Sequence, residues 1–169
     1  MKQQFGQAAE LEIHVRNAPG SAAMLNENGF WDLIGLLDWS KQDEDAVIEP
    51  LVEALSQMSV ANIHQFADIL SKQLWLMDTE AHALASRGGD DQKPLSVDYF
   101  LYDRCRVVAG GKDFFKKVLK NPSEWPVGDS FESLLYAADE AYERKTGKQL
   151  VHIPAHNYET HSNQSGWNT

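Results

Sequence analysis

From Phe30 onwards, apolar residues recur at the three- and four-residue spacing of helices that bury one face. Phe30, Leu33, Ile34 and Leu37 predict a helix over 30–37, with Asn28 as its cap. Asp43-Glu44-Asp45 opens a second over 45–57, carrying Val47, Ile48, Leu51 and Leu55. Acids suit that positive helix end. Pro50 lies too deep for a first-turn proline, so it predicts a kink or a later start. Ser59 caps the longest segment, 60–85, with Ile63, Phe66, Ala67, Leu70, Leu74 and Met77 on one face and Gly88-Gly89 as its stop. Ser96 caps a helix over 97–109 that ends at Gly110-Gly111. A short one over 112–120 holds Phe114, Phe115, Val118 and Leu119 before Pro122. Ser130 opens the last, over 131–146, closed by Gly147.

The ends of the chain read differently. Leu11, Ile13 and Val15 alternate with Glu12, His14 and Arg16, the two-residue period of a half-buried strand. The next such segment is Leu150-Val151-His152-Ile153, and because a lone strand is unstable the two are candidates to pair. The expected organisation is therefore an N-terminal extension over 1–27, a helical domain over 28–150 and a polar, aromatic tail over 151–169. The expected fold class is mainly α, a single-domain bundle of about six helices, with an optional strand pair formed by residues 11–15 and 150–153. A chain of 169 residues has core enough to fold without a disulfide or a structural metal. A tail of this composition is usually mobile unless its aromatic residues dock.

Phe30-Trp31-Asp32-Leu33-Ile34, Phe66, Asp98-Tyr99-Phe100-Leu101 and Val107 to Gly111 together resemble a bacterial family known only as a domain of unknown function. Asn121-Pro122, Phe131 to Tyr136, Tyr142-Glu143 and Gly147 fit the same pattern, so the resemblance covers roughly residues 28–150. It implies no activity and no catalytic residues.

Charge and motifs then narrow the function classes. The N-terminus lacks the apolar stretch of a signal peptide and no apolar run approaches a membrane span, so a cytoplasmic protein is expected, with no membrane partner. A net charge of −10 opposes nucleic-acid binding, which depends on Lys and Arg displacing counterions from phosphates. It suits a basic protein partner as well as it suits plain solubility. The chain has no Walker loop, no G-x-G-x-x-G and no G-x-S-x-G elbow, and no cofactor is expected.

Four groups of side chains carry candidate chemistry. His152, His156 and His161, with Glu159 among them, would supply an enzyme with a metal or carboxylate site, but Pro154 and their spacing match no zinc signature and no metal is expected there. Cys105 shares a helix face with Leu101 and Val108, the setting of an inert core thiol. Of the acidic groups, Asp139-Glu140 lies in a helix, where adjacent residues point to different faces. Asp43, Glu44 and Asp45 at a helix start, and Asp90 and Asp91 in a loop, can reach outward to a partner. Five tryptophans are many for this length, and Trp39 is the leading anchor, because Trp is enriched where protein interfaces concentrate their energy. The sequence thus favours a non-enzymatic protein-binding protein, most concretely an immunity protein that neutralises a cognate toxin encoded by an adjacent gene. The alternatives are a hydrolase or other enzyme near the tail histidines, and a regulatory adaptor.

Overall fold

The computed structural model describes residues 15–16 and 24–168 and is mainly helical. Among the described residues the α-helices are α1 (Glu27–Ile34), α2 (Glu44–Ser56), α3 (Val60–Leu76), α4 (Glu80–Ser86), α5 (Val97–Ala109), α6 (Lys112–Lys120) and α7 (Ala137–Thr146). The two strands, β1 (Val15–Arg16) and β2 (Met24–Leu25), form one short antiparallel ladder. The chain gathers into two compact units. Of the described residues, one comprises those up to Phe66 together with Ala137–Val151, the other Ala67–Tyr136 and those from His152 to Asn168.

In the first unit, Asn26 rather than Asn28 caps α1. Its side chain accepts the Gly29 N–H at 2.9 Å, so the helix starts three residues before Phe30 and stops at Ile34, with Leu36-Leu37 left in a turn. Asp43 caps α2 by accepting the Asp45 N–H at 3.0 Å. That helix runs through Pro50 without a break, so the late start expected from this proline does not occur. The Val47 carbonyl accepts the Asp38 N–H at 2.9 Å, which fastens the 38–43 loop beside the first turns of α2.

α7 packs on α2 with a face of small residues. Ala137, Ala138 and Ala141 are buried, as are Ile48, Leu51 and Leu55 of α2. Small side chains let two helix backbones approach closely. At the edge of this contact Arg144 donates a two-pronged bond to Glu49 (2.7 and 3.0 Å) and another to Glu53 (3.1 Å). These groups are well exposed, so they orient the pair more than they stabilise it. Phe30 anchors the aromatic part of this core, 5.0 Å from both Trp31 and Phe66.

The strand expectation needs correction. Residues 150–153 form no strand; Val15 pairs with Leu25 and Arg16 with Met24 instead, and residues 11–14 lie outside the described part. A seven-residue connection makes this local pairing easier to close than one spanning the chain.

The helix expected over 60–85 is two helices. The break falls at Met77-Asp78-Thr79. Thr79 caps α4 by accepting the His82 N–H at 3.2 Å. Asp78 is fully buried, and its carboxylate accepts the backbone N–H of His161 (3.1 Å) and Asn163 (2.9 Å), the Ser162 hydroxyl (3.3 Å) and the Trp167 indole N–H (3.1 Å). Further along the same segment, Asp68 accepts from His152 (2.8 Å) and from the Ala155 N–H (2.9 Å), while the Ser71 hydroxyl accepts the His156 N–H (3.3 Å). The polar tail is therefore docked along its length, and Trp167 reaches the aromatic core, 6.3 Å edge-on to Phe100.

Arg104, also fully buried, completes this network. It donates to the Leu74 carbonyl (2.9 Å) and to the Thr160 hydroxyl (3.1 Å), and its guanidinium lies 4.7 Å from the Phe100 ring centre. Burial pulls this group below its ordinary value, and the charge of Asp78 opposes that pull. His82 is buried nearby. The Val118 carbonyl can only accept, so the His82 Nε2 carries the proton, and Nδ1 accepts from the Thr79 hydroxyl at 2.7 Å. Burial holds this neutral imidazole below its usual range.

α5 and α6 occupy the predicted residues. Ser96 caps α5, and Gly110-Gly111 joins the two helices for two different reasons. The Phe114 ring lies where a Gly110 Cβ would be, and Gly111 has φ +96°, a conformation open to glycine. The helix expected from 131 begins as a 3₁₀ turn, Glu132–Tyr136, with α7 following it.

Replacing Asp78 with Asn turns one acceptor oxygen into a donor that faces N–H groups and leaves Arg104 uncompensated. Stability is expected to fall by about 3 kcal/mol in urea unfolding, and residues 153–168 to become sensitive to protease. A change below about 0.5 kcal/mol with the tail still protected would show that the carboxylate does not hold it.

Candidate functional site

The residues singled out in the sequence fall in both units. Trp39, Asp43, Glu44 and Asp45 belong to the first. Trp39 is 49% exposed on the loop that the Asp38–Val47 bond fixes against α2, so its indole is presented from an ordered turn. Asp43 and Asp45 are exposed and Glu44 partly so. The fold adds Glu140 of α7 to this group. Burial raises its carboxyl above the ordinary range, as do the charges of Asp45 and Glu49, while Arg144 opposes them. An acidic surface with an exposed Trp is thus assembled from two segments distant in the chain. Glu140 was considered in the sequence only beside Asp139; its approach to Asp45 depends on α7 packing on α2.

Asp90 and Asp91 lie in the second unit, both exposed. Asp90 accepts the Gln92 N–H and Asp91 the Gln92 side-chain amide, each at 3.0 Å. Their loop is shaped by Arg87, which donates to the carbonyls of Ala83 (3.1 Å), Asp91 (3.5 Å) and Lys93 (2.7 Å).

Beside this loop the second unit carries a cleft of about 330 Å³, which the sequence did not suggest. Its walls include Arg87, Lys93, Tyr99, Phe100, Asp103 and Val127. Tyr99 is 68% exposed and packs edge-on to Tyr102 at 6.3 Å. Asp103 is half-buried. Burial pushes its carboxyl up to about 6, the neighbouring charge of Asp129 adds to this, and Lys93 opposes it. Asp129 itself is paired with Arg106 at 2.8 Å. The one sequence sign of this site is the polar stripe Tyr99, Asp103 and Arg106 along α5.

The tail histidines take separate partners. His152 bonds to Asp68, the His156 ring lies 5.2 Å from Trp75, and the His161 ring lies tilted 4.2 Å from Trp167. His161 has φ +75°, a conformation costly for a residue with a Cβ, and the Asp78 bond together with the ring contact holds it there. Trp31 and Trp125 are buried, and so is Cys105. Among the described residues no helix is long and apolar enough to cross a membrane.

Asp103 gives a signed pH test. Because its folded value, about 6, exceeds the ordinary Asp value of 3.8, the folded protein binds this proton more tightly. The stability tied to it is complete below 3.8 and lost as pH rises through 6. Asp103→Asn is therefore expected to stabilise at pH 7.5 by about 1 kcal/mol, a value reduced for solvent screening of a half-exposed group, and to give no gain at pH 3.5. Equal effects at both pH values in thermal unfolding would remove the charge explanation.

Comparison with curated proteins and with solved structures returned no match. Residues 25–144, well over half of the chain, match a family described as a protein of unknown function, and the chain belongs to that family, DUF4240.

Proposed function

We propose that this is a non-enzymatic protein-binding protein, most concretely an immunity protein that binds and neutralises a toxin encoded by an adjacent gene. The observation that carries the reading is the pairing of an exposed Trp39, held on an ordered loop, with the carboxylates of Asp43, Glu44, Asp45 and Glu140 in the same unit. A rigid aromatic anchor supplies contact area at low entropic cost, and surrounding charge selects and steers a partner of opposite sign. The net charge of −10 extends that attraction to a basic partner. Asp90 and Asp91, exposed in the other unit, are proposed as further steering charges.

The test is surface plasmon resonance against the protein encoded by the adjacent open reading frame, at two salt concentrations. Trp39→Ala is expected to weaken binding by about 2 kcal/mol, mainly through faster dissociation. Reversing Glu44 and Asp45, or Asp90 and Asp91, to Lys is expected to slow association and flatten its salt dependence. Asp43 is left in place because it caps α2. Unchanged rates in all of these variants would exclude these surfaces, and no binding of the adjacent product would remove the immunity reading.

A further inference from the structure

The cleft of the second unit is distinct from the Trp39 surface, and its chemistry is asymmetric. Three of its neighbouring charges are already engaged. The Arg87 guanidinium donates to the carbonyls of Ala83, Asp91 and Lys93, and Arg106 and Asp129 form an ion pair with each other. Asp103 has no ion pair or hydrogen bond among the described residues, although its carboxyl is half-buried. Lys93 also lines the cleft but is exposed, and makes no ion pair with Asp103. At the carboxyl, the repulsion from Asp129 outweighs the attraction of Lys93. A half-buried carboxylate with no hydrogen-bonded partner, beside a second carboxylate, is completed by a cation that can hydrogen-bond to it.

The walls indicate what that cation is attached to. Tyr99 and Val127, both exposed, line the cleft together with Asp103, and the buried Phe100 lies in its wall. Phe100 already carries the Arg104 guanidinium at 4.7 Å, so a guanidinium against these rings has a precedent within the unit. The volume, about 330 Å³, lies at the small end of ligand pockets and suits one side chain or a small metabolite.

We infer that the cleft between α5 and the 87–96 and 126–130 loops is a binding site for an alkylguanidinium or alkylammonium group, with Asp103 receiving the cation and Tyr99 and Val127 flanking its apolar stem. The group can be a free amine or an Arg or Lys side chain of a peptide; the chemistry is shared. The site is independent of the Trp39 surface and of the immunity reading.

The test titrates the ¹⁵N-labelled full chain with small probes and follows amide shifts at Tyr99, Asp103 and Gly128. The probes are butylguanidinium, Nα-acetyl-arginine amide, and the uncharged Nα-acetyl-norleucine amide. Butylguanidinium and the arginine amide are expected to saturate these shifts at pH 7.5 with Kd on the order of 1 mM. Tighter binding of butylguanidinium assigns the site to small free cations, and tighter binding of the arginine amide to peptide side chains. The norleucine amide is expected to bind at least tenfold more weakly. Asp103→Asn should weaken the cations by tenfold or more while leaving the spectrum elsewhere unchanged, and Tyr99→Ala should weaken them severalfold. Lowering the pH to 5 should also weaken them, since protonating Asp103 removes the charge while Asp129, Arg106, Arg87 and Lys93 remain around it. Failure of the cations to saturate, or equal binding by the norleucine amide or by Asp103→Asn, would overturn the inference. Neither result touches the Trp39 measurements, so the two proposals fail separately.

Discussion

A carboxylate buried without counter-donors is among the most costly arrangements in a protein interior, and the second unit is built to prevent it at Asp78. Four donors from one short stretch of chain converge on that side chain, and Arg104 places a positive charge close by. The consequences spread outward from there. α3 ends and α4 starts afresh at Thr79, the tail turns at His161 in a conformation unusual for a histidine, and Trp167 is delivered to Phe100. Phe100 and Arg104 lie on α5, so the helix that carries Tyr99 and Asp103 is positioned by the same network. Such a network favours one arrangement of the chain over others, because displacing any part of it leaves charge buried and unpaired.

What could be read from the sequence was what local chemistry decides. Ser96 and Gly110-Gly111 bound α5 within the thirteen residues between them, and with Pro122 just beyond α6 the bounds of both helices were legible. The break at Asp78 was not, because apolar spacing continues across it from Leu74 to Ala83; it depends on donors more than eighty residues away. Nor was the tail's docking legible, since its residues are polar and the acceptors that hold them are isolated polar side chains, Asp68 and Ser71 on α3 and Asp78 in the break after it. The start of α1 was missed for a smaller reason. Asn26 and Asn28 are both competent caps, and only the backbone shows which one is extended.

The functional residues divide along the same line. Trp39 and the Asp43 group were visible because they sit at a helix start, where polar and aromatic residues have room to face outward. Their assembly with Glu140, and the cleft around Asp103, depend on helix packing and on loops that meet, and neither follows from spacing. Asp103 carries a charge whose folded environment disfavours it at neutral pH. Uncompensated destabilisation of that kind is common where a surface is kept for a ligand, since selection for function tolerates a local cost in stability.

The partner surface proposed for the first unit is centred on Trp39. Hydrogen–deuterium exchange of the full chain, with and without the protein encoded by the adjacent gene, tests it most directly. Slower exchange is expected in peptides covering 36–49 and 138–146 on adding that protein. Exchange unchanged in those peptides, with or without protection elsewhere in the chain, would contradict it.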